Sequence, residues 1–446
     1  MAASREERSM GTRGSKRVVI TGLGPISSIG TGKSAFWEAL LRGTSGTKRL
    51  QFPWADRPEF HTRLGAPVSL IDVTDYDVSE SEARLLDPVS QFSLIGAHLA
   101  LHDAGFSLSL SDERRNRLMI NEVDSERAGV ILGTGVGGLR SIETSHERWV
   151  HKIPLTGPLR FSLPMLIPNA VPAQVAIKFG MRGECKAIAT ACAAGTMAVG
   201  DAFRLVRDDE LDIAVTGGVE KLLSDTGSPL GGFGLIGFDL LKTLSTRSDD
   251  PAAASRPFDR DRDGFVLSEG AGVLVLENLD HAKARGAQIY AEVVGYASTC
   301  DAFSMVQLEP TGTQMSRVMN SALRSAGTPP EEVVYVNAHG TSTRPNDKQE
   351  SLALHEVFSK HVKNVLVNST KAMTGHGIAA SGGLEAITTA LSLAKGLVHR
   401  CVNLDNQDPD CDLELPRENC RLDAGVALSN SYGFGGHNAS LVLRSV

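Results

Sequence analysis

Apolar residues fall along this chain in short blocks that end in glycine, and between the blocks they recur three and four positions apart. Arg17-Val18-Val19-Ile20-Thr21-Gly22-Leu23-Gly24 reads as a buried strand, followed by a helix from about Gly32 to Leu41. Residues Phe52 to Ser81 mix proline, aspartate and scattered aromatics and read as a surface excursion; Asp87 to Ala104 has helical spacing. Arg127 to Gly138 is a strand running into a glycine-rich turn, and Leu211 to Gly218 is another strand ending in two glycines. Between them, Ala187 to Ala191 is small and β-prone while Ala193 to Leu205 is periodic, so a strand turns sharply into a helix with Cys192 at the turn. Gly227 to Gly237 reads as a loop with an apolar lining before Phe238. A second half begins near Ile289 and repeats the order of elements, its strand Val333 to Ala338 taking the place that Ala187 to Ala191 has in the first. Alternating strands and helices predict an α/β architecture with buried, largely parallel sheets. The expected boundaries are residues 17–288 and 289–446, after a leader, 1–16, without apolar periodicity.

Composition narrows the class. The chain has 446 residues, 41% hydrophobic and 22% charged, with a net charge of −7, which suits a globular protein and argues against a nucleic-acid binder. Six cysteines form no CxxC pair, which predicts a reducing, cytoplasmic setting, and no apolar run reaches membrane-spanning length. Gly133-Thr134-Gly135-Val136-Gly137-Gly138 has a dinucleotide-like spacing without the accompanying acid, so nucleotide binding is discounted. The aspartates of Ser255 to Gly272 lack an EF-hand spacing and predict a salt-bridged turn.

Chemistry gathers at three places. A thiol at a helix N-terminus faces unpaired N–H groups and the positive end of the dipole, which lowers its pKa; alternatively, Cys192 is a small buried hydrophobe. His339 in NAHGTST and His376 in NSTKAMTGHG each sit among small residues, and their pairing with Cys192 favours catalysis over a structural role. No two of these histidines share a ligand spacing, so no metal is expected. Asn430 to Asn438 (NSYGFGGHN) carries one bulky residue, Phe434, among glycines, which suits an oxyanion hole beside a movable gate; the other reading of Phe434 is core packing.

Five segments in fixed order, TACAAG, SRPFDRDRDGFVLSEGAG, NAHGTST followed by DKQE, NSTKAMTGH and NSYGFGGHN, resemble the β-ketoacyl-acyl carrier protein synthases of the elongating Cys-His-His type. The resemblance runs from about Arg17 to Val446 and implies a thiolase fold, two related halves in five αβαβα layers, and a homodimer completing the acyl pocket. It implies that Cys192 takes an acyl group from the phosphopantetheine arm of an acyl carrier protein, with backbone N–H groups of Cys192 and Phe434 as oxyanion donors. Decarboxylation of a malonyl thioester would then give an enolate held by neutral His339 and His376. No cofactor is bound by the enzyme itself in this scheme. Lys371 is expected to orient His376 and pair with Glu385. Thr341 and Thr343 match positions that hydrogen-bond the arm, Asp347 and Glu350 match a supporting network, and Phe238 matches an acyl-pocket phenylalanine.

Departures from the family pattern bear on the substrate. Leu222 to Gly237 is longer than usual, Ser304 stands where many members have histidine, and Arg344-Pro345-Asn346 replaces a commoner Pro-x-Gly stretch. His437 replaces threonine and, with Asn438, is similar to the initiating Cys-His-Asn synthases. Fatty-acid and specialised polyketide or polyene synthesis are both compatible. The alternative is a ketosynthase subunit paired with an inactive chain-length partner. A thiolase needs a second catalytic cysteine where this chain has His437, and an inactive chain-length factor typically lacks the nucleophile.

Overall fold

The computed structural model describes residues 15–51, 57–223 and 232–446. The first fourteen residues of the expected leader, part of the excursion at 52–81 and the middle of the Leu222 to Gly237 segment lie outside the described residues.

Ten strands lie on one hydrogen-bonded path among the described residues. In chain order they are β1 (Val18–Ser27), β2 (Ala128–Gly133), β3 (Cys185–Ile188), β4 (Ile213–Glu220), β5 (Gly270–Asn278), β6 (Ala291–Cys300), β7 (Val333–Asn337), β8 (Leu366–Asn368), β9 (Val426–Gly433) and β10 (His437–Arg444). Their spatial order is β8-β7-β9-β10-β6-β1-β5-β4-β2-β3. Each half therefore runs third, second, fourth, fifth, first, and the halves meet where Val18 to Ile20 pair antiparallel with Ala291 to Val293.

This repeat corrects two expectations. Val333–Asn337 corresponds to β2, not to the strand before Cys192; that strand, β3, corresponds to β8, the strand before His376. Only the outer three strands of each half are parallel, whereas β4-β5-β1 and β9-β10-β6 are antiparallel. The reason is clearest at β9 and β10: only Phe434 to Gly436 connect them, too short for a crossover and sufficient for a hairpin.

Helices cover the strands in layers. α1 (Pro88–Asp103) and α3 (Ala170–Phe179) pack on one outer face, with α2 (Leu139–Val150) between them in sequence. α4 (Ala194–Arg207) and α8 (Ala379–Lys395) fill the middle, against β1, β5, β6 and β10, while α6 (Thr313–Ala326) and α7 (Arg344–Phe358) cover the other outer face. α5 (Phe233–Leu240) is a helix where a loop through Gly237 was expected. Because both faces of the sheet are covered, β1, β4 and β5 are buried at every position. No helix among the described residues is long and apolar enough to cross a membrane.

The layers approach so closely that some positions have no room for a side chain. A Cβ on Gly218 of β4 would lie 1.8 Å from the Ala379 carbonyl oxygen and 2.9 Å from Gly195 Cα, which locks α8 and α4 onto the sheet. Gly218→Ala should therefore lose at least the roughly 1–3 kcal/mol typical of overpacking. Gly237→Ala, whose Cβ meets nothing within 4 Å, should melt with or slightly above the parent. Thermal melting of the two variants checks this; equal melting temperatures would contradict the packing argument.

Candidate active site

The end of β3 from one half and the ends of β7, β8 and β9 from the other meet at a cleft of about 700 Å³. Cys192, His339, His376 and Phe434 all line it. After β3 the chain reverses through Ala191, whose φ of 49° is left-handed, into a 3-10 turn over Ala191–Ala193 and then α4. That puts Cys192, 6% exposed, at the head of a helix. Gly433 packs on the same turn: a Cβ there would sit 3.1 Å from Cys192 N and 3.2 Å from Ala193 N, so a side chain would press on the turn that holds the thiol.

The thiol pKa corrects the sequence argument. Burial pushes it up to about 12, against the pull of Lys371 and of the backbone N–H groups of Phe434 and Cys192 facing the sulfur. A helix end that lowers a solvated thiol's pKa does not overcome the loss of water here. The resting group is a thiol, and it must release its proton as it attacks. The same two N–H groups are placed to receive negative charge on an oxygen bound beside the sulfur.

Each histidine is held by its own set of partners. Glu350 accepts from the backbone N–H groups of His339 and Gly340 at 2.9 and 2.8 Å. Lys371 Nζ donates to His339 O at 2.7 Å, to His339 Nδ1 at 3.3 Å and to Glu385 Oε1, so its three donors have three acceptors. Lys371 thus orients His339 and not His376, as the resemblance had implied, because the loop after β8 carries its ammonium beneath the end of β7. His376 is fixed instead by Ser381, whose Oγ is 3.1 Å from Nδ1 and accepts from Gly377 N at 2.9 Å. Its backbone bridges Val266 and Ser268, and its ring packs edge-on against Phe265 and His339 at centroid distances of 5.1 and 5.3 Å.

An ammonium can only donate, so His339 Nδ1 accepts and its proton is assigned to Nε2. Ser381, already accepting from Gly377, has its hydroxyl proton free for His376 Nδ1, which gives the same tautomer. Burial and the Lys371 charge push both imidazoles well below their usual range, and His376 pushes His339 further down. At neutral pH the cleft therefore holds two neutral imidazoles.

The remaining expected residues divide clearly. Thr341 and Thr343 line the cleft with hydroxyls 2.9 Å apart, and Phe238 lines it 5.9 Å from the Phe434 ring. Phe434 is half-buried in the cleft wall and not enclosed in the core. Asp347 accepts from Phe258 N and Ser342 N at 2.8 and 3.2 Å and lies 3.4 Å from Arg262, a supporting role like that of Glu350. Ser304 is not brought to the cleft: its Oγ accepts from Val306 N and Gln307 N and shapes the turn that carries Val306 and Leu308 into the wall. Asn438 donates to Asp301 at 2.6 Å, and neither it nor His437 lines the cleft, so the Cys-His-Asn arrangement is not formed. The aspartates of the polar turn make salt bridges, Asp259 with Arg256 at 3.0 Å, while Arg262 reaches Asp408 at 2.6 Å.

Glu220, at the end of β4, escaped the sequence argument. Fully buried and pushed up to about 7 by burial, it accepts from Gly135 N at 2.6 Å and Ala379 N at 3.4 Å. It ties the glycine turn after β2 to the head of α8 beneath the cleft and uses the N–H group that a bound phosphate would need. An acid directly after two strand-ending glycines, in GGVE, was the available signal.

Residues 15–282 match the family model of the β-ketoacyl synthase N-terminal domain, and residues 290–405 match that of its C-terminal domain. This chain belongs to the β-ketoacyl synthase family. It is 41% identical over 434 residues to 3-oxoacyl-[acyl-carrier-protein] synthase 2 of Synechocystis sp., with 96% of this chain and 98% of that protein covered. It is 40% identical over 433 residues to the protein of the same name from Staphylococcus aureus, with the same coverage. Among solved structures, a β-ketoacyl synthase from Burkholderia phymatum is 33% identical with a TM-score of 0.85, covering 97% of this chain and 100% of that one. A type II PKS ketosynthase in complex with its acyl-carrier protein and bound to the hexaketide is also 33% identical, with a TM-score of 0.83 and the same coverage. These neighbours share the thiolase fold of this synthase.

A thiol pushed up to about 12 has a thiolate fraction that rises about tenfold per pH unit through the neutral range. Alkylation of Cys192 by iodoacetamide, followed by peptide mass spectrometry, should climb log-linearly from pH 6 to 9. A plateau beginning near pH 7 would mean that the helix end outweighs burial.

Proposed function

We propose that this β-ketoacyl synthase joins an acyl group carried on Cys192 to the two-carbon unit of malonyl-acyl carrier protein by decarboxylative Claisen condensation. The observation that supports it best is one buried cleft holding a thiol, two N–H groups facing its sulfur and two neutral imidazoles. Cys192 Sγ attacks the acyl thioester, and the Phe434 and Cys192 N–H groups take the developing oxyanion charge. Collapse of the tetrahedral intermediate expels the phosphopantetheine thiolate, and the Cys192 proton leaves with it. The malonyl thioester then loses carbon dioxide, and its enolate oxygen receives the Nε2–H groups of His339 and His376. Neutral donors suit this step because a fixed cation would also stabilise the starting carboxylate. Attack of the enolate on the Cys192 thioester forms the carbon–carbon bond and restores the thiolate, which takes up a proton.

The cleft supports the partner as well as the step. Phe238, Leu241, Phe265, Val306, Leu308 and Phe434 line the cleft with Cys192, an apolar wall that fits an alkyl or polyene chain. Thr341 and Thr343 offer hydroxyls to the amides of a phosphopantetheine arm, and Lys242 and Arg344 line the cleft with charge opposite to the arm's phosphodiester. The chain brings no cofactor of its own to the reaction; the carrier protein supplies the arm. A cytoplasmic homodimer is the assembly we infer, with pairing to a chain-length partner as the second arrangement. The ishigamide ketosynthase/chain length factor, 29% identical with a TM-score of 0.83, favours keeping that arrangement in view.

Acylation and condensation separate by residue. Cys192→Ala should give no acyl adduct by intact mass when incubated with an acyl-acyl carrier protein. His339→Ala and His376→Ala should keep the adduct and lose at least about a hundredfold in malonyl decarboxylation, the lower end of the usual acid–base range; His437→Ala should be much milder. An adduct on the Cys192→Ala protein, or decarboxylation lost with His437→Ala and spared with His376→Ala, would overturn the assignment.

A further inference from the structure

A second group of ligating side chains lies on the outer helical layer. His98 and His102 stand four residues apart on α1 and so share one face of it. Asp77 ends the 3-10 turn Val73–Tyr76 in a left-handed conformation, φ 59°, and brings a carboxylate to the same place. One ligand atom from each of the three lies within 4.8 Å of the other two. The imidazole centroids are 4.2 Å apart, and Tyr76 packs perpendicular to the His98 ring at 5.6 Å. His98 Nδ1 lies 3.2 Å from Asp77 Oδ2, yet this buried nitrogen makes no hydrogen bond among the described residues.

We propose that Asp77, His98 and His102 form a site for a divalent transition ion of the zinc class, bound by two imidazole nitrogens and one carboxylate oxygen, with solvent completing the shell. The i, i+4 histidine pair that the cleft lacks is the spacing with which one helix face chelates such an ion. Two nitrogen donors select zinc, nickel or copper over magnesium or calcium. Zinc–ligand bonds of about 2.0–2.2 Å need the donor atoms roughly 3.3 Å apart. Asp77 and His102 are exposed and His98 half-buried, so small side-chain rotations close that gap. The neighbouring cation has acceptors of its own: Lys178 Nζ donates to the backbone carbonyls of Asp77 and Asn116 at 2.5 and 2.7 Å and pairs with Glu82 at 3.2 Å, which leaves the Asp77 carboxylate to the histidines. An ion here would fasten the turn before α1 to the body of α1. It would stabilise the fold and take no part in the cleft.

Full-length protein stripped with a chelator is titrated with zinc chloride by calorimetry and followed by thermal melting, with cobalt chloride as a spectroscopic probe. One equivalent of zinc should bind and raise the melting temperature, and cobalt should give visible d–d bands without a thiolate charge-transfer band. His102→Ala and Asp77→Asn should keep the chelated protein's melting temperature, weaken zinc at least about tenfold and abolish the rise. No zinc binding would leave only a His98–Asp77 contact and overturn the proposal. Unchanged affinity in His102→Ala, or a thiolate band that places the ion on a cysteine, would overturn it equally.

Discussion

One buried ammonium holds the chemistry of this protein in place. Lys371 is 1% exposed, and taking its charge out of water is tolerable only because every donor has an acceptor: the His339 carbonyl, His339 Nδ1 and Glu385 Oε1. Those acceptors come from two places, His339 in the loop after β7 and Glu385 in the core of α8. Satisfying the charge therefore fixes the relation between them. Burial, reinforced by the same charge, keeps both imidazoles neutral; the ammonium also directs the His339 proton to Nε2 and opposes the rise in the Cys192 pKa. Removing Lys371 would take from Glu385, already pushed up to about 7 by burial, the partner that favours its charged form, so the carboxyl would take up a proton and position and electrostatics would fail together.

The repeated strand order explains why one cleft receives two kinds of group. Cys192 and His376 follow corresponding strands, β3 and β8, and a left-handed residue lies beside each: Ala191 with φ 49° before the thiol, Ile378 with φ 50° after the imidazole. Each then leads into a central helix, α4 or α8, packed on the other across glycines. From the same backbone device one half presents a nucleophile and the other a hydrogen-bond donor. Glu220 and Glu350 play comparable parts, each accepting backbone N–H groups from the turn that follows a corresponding strand, β2 or β7.

Much of this was legible in the chain. Apolar blocks ending in glycine located the strands because such strands are covered on both faces, and TACAAG, NAHGTST and NSYGFGGHN marked their functional ends. Strand direction was not legible, since a buried antiparallel strand is as uniformly apolar as a parallel one; only the three-residue link at Phe434 to Gly436 betrays the hairpin. The partner of Lys371 was misjudged because the resemblance assigned it to His376, five residues on, whereas the side chain turns toward His339, just beyond the neighbouring strand β7. Ser381 and Glu220 were missed because a serine in a helix and an acid after a strand look ordinary until their acceptor geometry is seen. The thiol's pKa could not be read at all: burial depth, which decides it, is a property of the assembled layers.

The central claim is that burial and Lys371 hold both cleft histidines neutral with their protons on Nε2. Nitrogen-15 NMR of the histidine-labelled protein between pH 6 and 8.5 tests it most directly, since the ring nitrogens report protonation and tautomer separately. The account predicts that His339 and His376 keep the Nε2–H signature without titrating across that range, and that His339 changes when Lys371 is replaced by Met. A cleft imidazole that titrates near 6.5, the ordinary histidine value, or that carries its proton on Nδ1, would contradict it.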